Sequence, residues 1–182
     1  NHIEHIKRNG KNKLNGFIKR DVLKKDIILI DFIGKKEYLI QDNYVDIKWI
    51  VFPETRVISN FKCHKAETVF RGLKWTAWFT SELPVSFGPW KLYGLPGLIL
   101  EAYDESEKYK FVAEKVTINS SSKLYFPSEN LSITTIKEVA EEQNKRREAI
   151  NGYISRGEVN LSDKYKVETM EPLYEWEEEA KK

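Results

Sequence analysis

The sequence predicts a mainly β protein of the α+β class. The expected architecture is a curved antiparallel sheet of about eight or nine strands, closed part-way into a half-barrel or open barrel, with one helix from the C-terminal third packed on it. Three observations carry this. Hydrophobic residues make up 41% and aromatic residues 13% of the 182, a composition suited to pleated, half-buried surfaces. Short apolar or alternating runs are separated by turn residues throughout. The clearest helical pattern comes late, so strands do not alternate with helices as in βαβ units.

In chain order, residues 1–25 are basic and polar, and read as a solvated arm or the tip of a long hairpin. Ile27–Ile33 is a β-branched run of strand length, Gly34-Lys35-Lys36 a turn, and Glu37–Gln41 the return strand. Ile47–Phe52 is the next strand, Pro53-Glu54 a turn, and Thr55–Phe61 another strand. Glu67–Thr80 is the longest extended segment. Its odd positions Val69, Leu73, Trp75, Ala77 and Phe79 are apolar and most even ones polar, which is the period of a strand with one buried face. Phe70 and Trp78 put aromatics on the polar face, where a covering loop or helix is expected.

Residues 81–97 form a long connection, unusual in a compact domain without a role of its own. Leu95-Pro96-Gly97-Leu98 fits a type II turn, with positive φ at Gly97. Leu98–Tyr103 is a strand, Asp104–Glu107 a hairpin turn, and Lys108–Ile118 the return strand. Lys123–Phe126 reads as a short edge strand. A helix follows over 135–151, with Thr135 and Glu138 forming a capping box and Gly152 closing the end. Ile136, Val139, Ala140 and Ile150 form its apolar stripe, and Lys145-Arg146-Arg147 complement the dipole of its last turns. A short extended segment at Tyr165–Met170 precedes an acidic, aromatic tail over 171–182, read as a docked edge or a mobile end.

Length fits one domain, 1–182. The 30 Lys and Arg nearly cancel the 28 Asp and Glu, and the two signs are interleaved, which argues against a nucleic-acid footprint. The single cysteine, Cys63, excludes an internal disulfide framework. No apolar run approaches the roughly 20 residues of a membrane span. The chain starts at Asn1 and its single methionine is Met170, so we expect a natural start upstream that included a signal segment.

The ordered runs Phe61–Gly72, Trp75–Pro84, Gly88-Pro89-Trp90 and Gly94-Leu95-Pro96-Gly97-Leu98-Ile99-Leu100 resemble the GLPGLI family of Bacteroidetes exported proteins over about residues 45–118. The resemblance implies an extracytoplasmic home, in the periplasm or at the outer membrane. It implies no established reaction.

The residues themselves suggest no catalytic constellation, cofactor or metal site. His2 and His5 stand at helical spacing without a third ligand. Cys63 and His64 are neighbours on a strand and so point to opposite faces, which favours Cys63 as a small buried residue. Trp78, Glu82, Trp90 and Tyr93 are the candidate ligand-binding residues, an aromatic cleft with a carboxylate beside it. The alternative is that Glu82 pins the loop, by accepting backbone N–H bonds or pairing with Arg71 or Lys91, while Trp90 and Tyr93 pack inside it. Gly88, Pro89, Gly94, Leu95, Pro96 and Gly97 form a structural clamp. The expected function is non-enzymatic binding of a lipid, a peptide or an envelope protein. Two alternatives stand beside it: a hydrolase using Glu82, and an accessory component of an outer-membrane complex.

Overall fold

A computed structural model describes residues 2–7, 15–21, 23–33, 36–117, 130–157 and 169–179. In chain order the strands are β1 (His2–Lys7), β2 (Asn15–Asp21), β3 (Asp26–Ile33), β4 (Lys36–Asn43), β5 (Ile50–Ile58), β6 (Phe61–Phe70), β7 (Leu73–Thr80), β8 (Leu98–Asp104), β9 (Lys110–Val112) and β10 (Ser132–Thr135). The helices are α1 (Ile136–Ser155) and the short α2 (Glu175–Glu179). The protein is mainly β, with two largely antiparallel sheets, no closed barrel among the described residues and one main helix. Backbone contacts group the chain into two compact units, Asn1–Tyr44 with Lys123–Glu168, and Val45–Ser122 with Thr169–Lys182.

The first unit holds a sheet of order β1-β2-β3-β4-β10. The basic N-terminal stretch takes the hairpin form, β1 pairing with β2 and β2 with β3. His2 and His5 therefore lie on a strand, not a helix. β-branched residues supply most of the core: Ile18, Ile27, Leu29, Ile30 and Ile40 are buried. β10 joins β4 in parallel and runs straight into α1. Thr135 caps that helix, its hydroxyl accepting from Glu138 N–H while the Glu138 carboxylate accepts from Thr135 N–H. Ile136, Val139 and Ala140 are its buried residues, and it packs on β4 and β10.

The helix does not stop at Gly152 as expected. One glycine costs a helix interior only about 1 kcal/mol, and the left-handed residue beyond the end is Gly157, at φ +72. Lys145-Arg146-Arg147 consequently sit inside the helix, whose last turn has no basic residue. Arg146 instead pairs with Glu142 one turn back, at 2.9 Å.

The second unit is a meander, β5-β6-β7-β8-β9. Pro53-Glu54 does not turn the chain. It lies in an irregularity between Val51 and Thr55 that bends one continuous strand, β5, as expected of a proline on a sheet edge. The extended run 67–80 is two strands joined at Arg71-Gly72, both at positive φ (49° and 81°), as in a type I′ hairpin. Phe70 pairs with Leu73 and Thr68 with Trp75, so even positions of β6 share a face with odd positions of β7. Phe70 is thus buried with Trp75, Ala77 and Phe79, and it is Val69 that is exposed. Trp78 alone keeps its place on the opposite face. The return strand after the β8 turn is only Lys110–Val112. The expected strand at Lys123–Phe126 lies outside the described residues, as does most of Tyr165–Met170.

Candidate functional site

The glycine- and proline-rich loop over 81–97 is built into the core of the second unit. Trp90, Leu92, Tyr93 and Leu95 are buried against the inner face of the sheet. Trp90 sets its ring against Phe70 and Trp75, with centroids 5.8 and 5.4 Å away. It does so from a left-handed backbone, φ 53°, which costs on the order of 1–3 kcal/mol and persists only where the surroundings enforce it. Tyr93 holds the entry to β5: its hydroxyl accepts from Val45 N–H at 2.9 Å and donates to Val45 C=O at 2.6 Å. The Tyr93 carbonyl accepts from Trp49 Nε1 at 2.8 Å.

The glycines are needed for different reasons. Gly94 takes φ +97. Gly97 does not have the positive φ of a type II turn. Its N–H donates to Leu95 C=O at 2.8 Å, a tighter three-residue turn centred on Pro96, whose fixed φ suits it. A Cβ at Gly97 would lie 2.1 Å from Thr80 O, and one at Gly88 would lie 2.6 Å from Ile99 Cδ1. Gly88 and Gly97 therefore let the loop lie directly on β7 and β8. Leu98 N–H and Ile99 N–H donate back to Leu83 and Phe87 at 3.0 and 2.9 Å.

Glu82 is exposed, and its Oε1 accepts from Lys62 N–H at 2.8 Å, tying the loop start to β6. Arg71 and Lys91, the cations considered for it, meet other carboxylates. Arg71 contacts Glu171 through Nη1 and Glu175 through Nε, the latter at 2.9 Å, and Lys91 Nζ lies 2.6 Å from Glu171 Oε1. Cys63 is buried, and burial pushes its thiol pKa up. His64 turns the other way, its ring 6.0 Å from that of Phe79.

Trp78 stands apart, half-buried on the outer face. The Arg56 guanidinium lies 4.1 Å from its ring centroid, and Arg56 Nη2 is 2.6 Å from Glu101 Oε2. Further cations lie on rings of the same sheet, Lys65 on Phe52 at 5.1 Å and Lys110 on Tyr103 at 5.3 Å. Lys65 also pairs with Glu67 at 2.8 Å, a hydrogen bond that holds the Glu67 carboxyl below its ordinary pKa. Trp78 Nε1 and Arg56 Nε have no hydrogen-bond acceptor among the described residues.

The four candidate residues are thus not brought together. Trp90 and Tyr93 are packing residues of the loop, Glu82 is a loop tether, and Trp78 faces the other way. Arg56 and Glu101 complete the outer-face cluster and were not singled out from sequence. Their link to Trp78 follows from strand register: Trp78 pairs with Glu101, while Arg56 reaches it from two strands away.

Residues 67–101 match a family model described as "Protein of unknown function (Porph_ging)", a span holding Trp75–Pro84 and the glycine-rich stretch. The description fits a Bacteroidetes-type family but does not carry the GLPGLI name. No curated protein matches. Two solved structures are similar in fold, both of PNGF-II. One, in space group C2, has TM-score 0.56 and 19% identity. The other, in P21, has TM-score 0.52 and 17% identity. Each match covers 75% of this chain and 26% of the PNGF-II chain, so the present chain matches about a quarter of those proteins.

Proposed function

We propose that the chain is a non-enzymatic binding module of the cell envelope, exported as the GLPGLI resemblance implies, whose ligand is a segment of a protein partner. The outer-face cluster carries this reading. There the Trp78 indole and Arg56 Nε lack acceptors, and Arg56, with its side chain 37% exposed, lies over the indole. Both donors are buried as the structure stands; movement of Arg56 off the indole uncovers them for carbonyl groups of an extended chain and exposes an aromatic platform. The exposed Ile50, Val51 and Val57 of edge strand β5 favour a second reading, addition of a partner strand in an outer-membrane complex. Pro53 and the irregularity beside it interrupt that edge, a device that discourages strand addition. Glu82, tied to Lys62 N–H, has a structural task that leaves the hydrolase reading without support.

Native mass spectrometry of protein isolated from its own envelope tests the proposal. A co-purifying polypeptide is expected, reduced at least about tenfold for Trp78→Ala under conditions where circular dichroism shows that variant folded. A polypeptide retained equally by Trp78→Ala places the site elsewhere. A co-purifying lipid in place of a polypeptide overturns the peptide as ligand.

A further inference from the structure

At the turn end of the β6–β7 hairpin, away from Trp78, two cations are buried: the side chains of Arg71 and Lys91 are 1% and 3% exposed. They are met by a segment 80 to 104 residues further along the chain. Glu171 contacts both, and Glu175 accepts from Arg71 Nε at 2.9 Å. Tyr174 lies 5.1 Å from the Arg71 guanidinium and stacks on Trp176, with centroids 4.4 Å apart. Leu173 N–H donates to Arg71 C=O at 3.3 Å. Gly72 makes room for it, since a Cβ there would lie 2.8 Å from Leu173 Cβ. This has the parts of a peptide-recognition site: paired cations for two carboxylates, aromatic contacts and one main-chain bond.

We propose that the Arg71–Lys91 site recognises an acidic, aromatic peptide segment, and that residues 171–177 are its resident ligand, exchangeable for the same segment of a second copy of this chain. Two buried cations are costly without counter-charge, so exchange for another acidic segment is favoured over simple opening. A second copy offers identical contacts, which makes the exchange a low-cost route to association. The inference is independent of the Trp78 face and survives its failure.

The test uses the full chain and a fluorescent peptide with the sequence of residues 169–177. In the Glu171→Lys, Glu175→Lys variant the resident segment is repelled and the site is left intact. That variant is expected to bind the peptide at least about tenfold more tightly than the wild-type chain, where the resident segment competes. Replacing the peptide's residues equivalent to Glu171 and Glu175 by glutamine abolishes binding. No binding to a variant that still unfolds in one cooperative transition overturns the proposal. Hydrogen exchange on the wild-type chain gives a reading that does not depend on the variant's folding. Amides of 171–177 exchanging faster than those of β6 and β7 support a displaceable segment; exchange at the same rate overturns it.

Discussion

Gly94 and Gly97 stand three positions apart, yet they are glycine for unlike reasons. At Gly94 the backbone is left-handed and a Cβ would have room, its nearest neighbour being Trp49 at 3.7 Å. Gly94→Ala should cost about 1–2 kcal/mol from the backbone alone. At Gly97 the obstacle is the Thr80 carbonyl, and rigid backbone cannot swing aside. Gly97→Ala should cost more, about 3 kcal/mol, and urea unfolding of the two variants checks the order. The tryptophans divide similarly. Trp90→Ala removes a ring packed on Phe70 and Trp75, an expected loss of about 3–5 kcal/mol. Trp78→Ala, half-buried on the outer face, should cost less, about 1–2 kcal/mol, while removing ligand binding. Thermal unfolding paired with the binding assay separates the two.

Among the elements, α1 shows how far local signals reach. Thr135 and Glu138 announce its start, and Thr135→Ala should cost about 1 kcal/mol. Its end was misplaced because Gly152 looks like a stop, although the helix passes through it. Gly152→Ala should therefore stabilise, by up to about 1 kcal/mol; the nearest atom to the new Cβ is the Arg156 Nη1 at 3.3 Å, on a side chain able to yield. Circular dichroism melts of both variants check the signs. In the β8–β9 turn, burial pushes the Asp104 carboxyl up, but hydrogen bonds from Ser106 and from Tyr109 N–H outweigh it, and the pKa falls below its ordinary value. A carboxyl lowered on folding contributes stability above its unfolded pKa and loses it as pH falls through the folded one. Asp104→Asn should thus be less stable than wild type at neutral pH, with the gap narrowing towards about pH 3, as urea midpoints across that range would report.

For the molecule as a whole, the acidic tail is tied to a hairpin turn about a hundred positions earlier. Gly72 is the test of that tie. It sits at φ +81 with Leu173 and Pro172 at its open side. Gly72→Ala strains the turn by about 1–2 kcal/mol and pushes on Leu173. Protection of 171–177 against hydrogen exchange is expected to fall before that of β6 and β7. Equal loss in both would mean that the new methyl disrupts the hairpin itself.

The sequence alone determined the β class, the positions of β3, β4 and β8 and the start of α1. These rest on periodicity of two, capping chemistry and residues with special backbone freedom, all local properties. It misread Glu67–Thr80 as one strand because Arg71-Gly72 interrupts it without breaking its apolar character, and the two-residue turn shifts which positions share a face. It also grouped Trp78, Glu82, Trp90 and Tyr93 by nearness in the chain. Tertiary structure decided that grouping: the loop folds onto the inner face and carries Trp90 and Tyr93 with it, while strand alternation leaves Trp78 outside, beside Arg56 and Glu101. It likewise decided the partners of Arg71 and Lys91. A buried cation must find counter-charge wherever the fold brings it, and here the fold brings Glu171 and Glu175 from the far end of the chain.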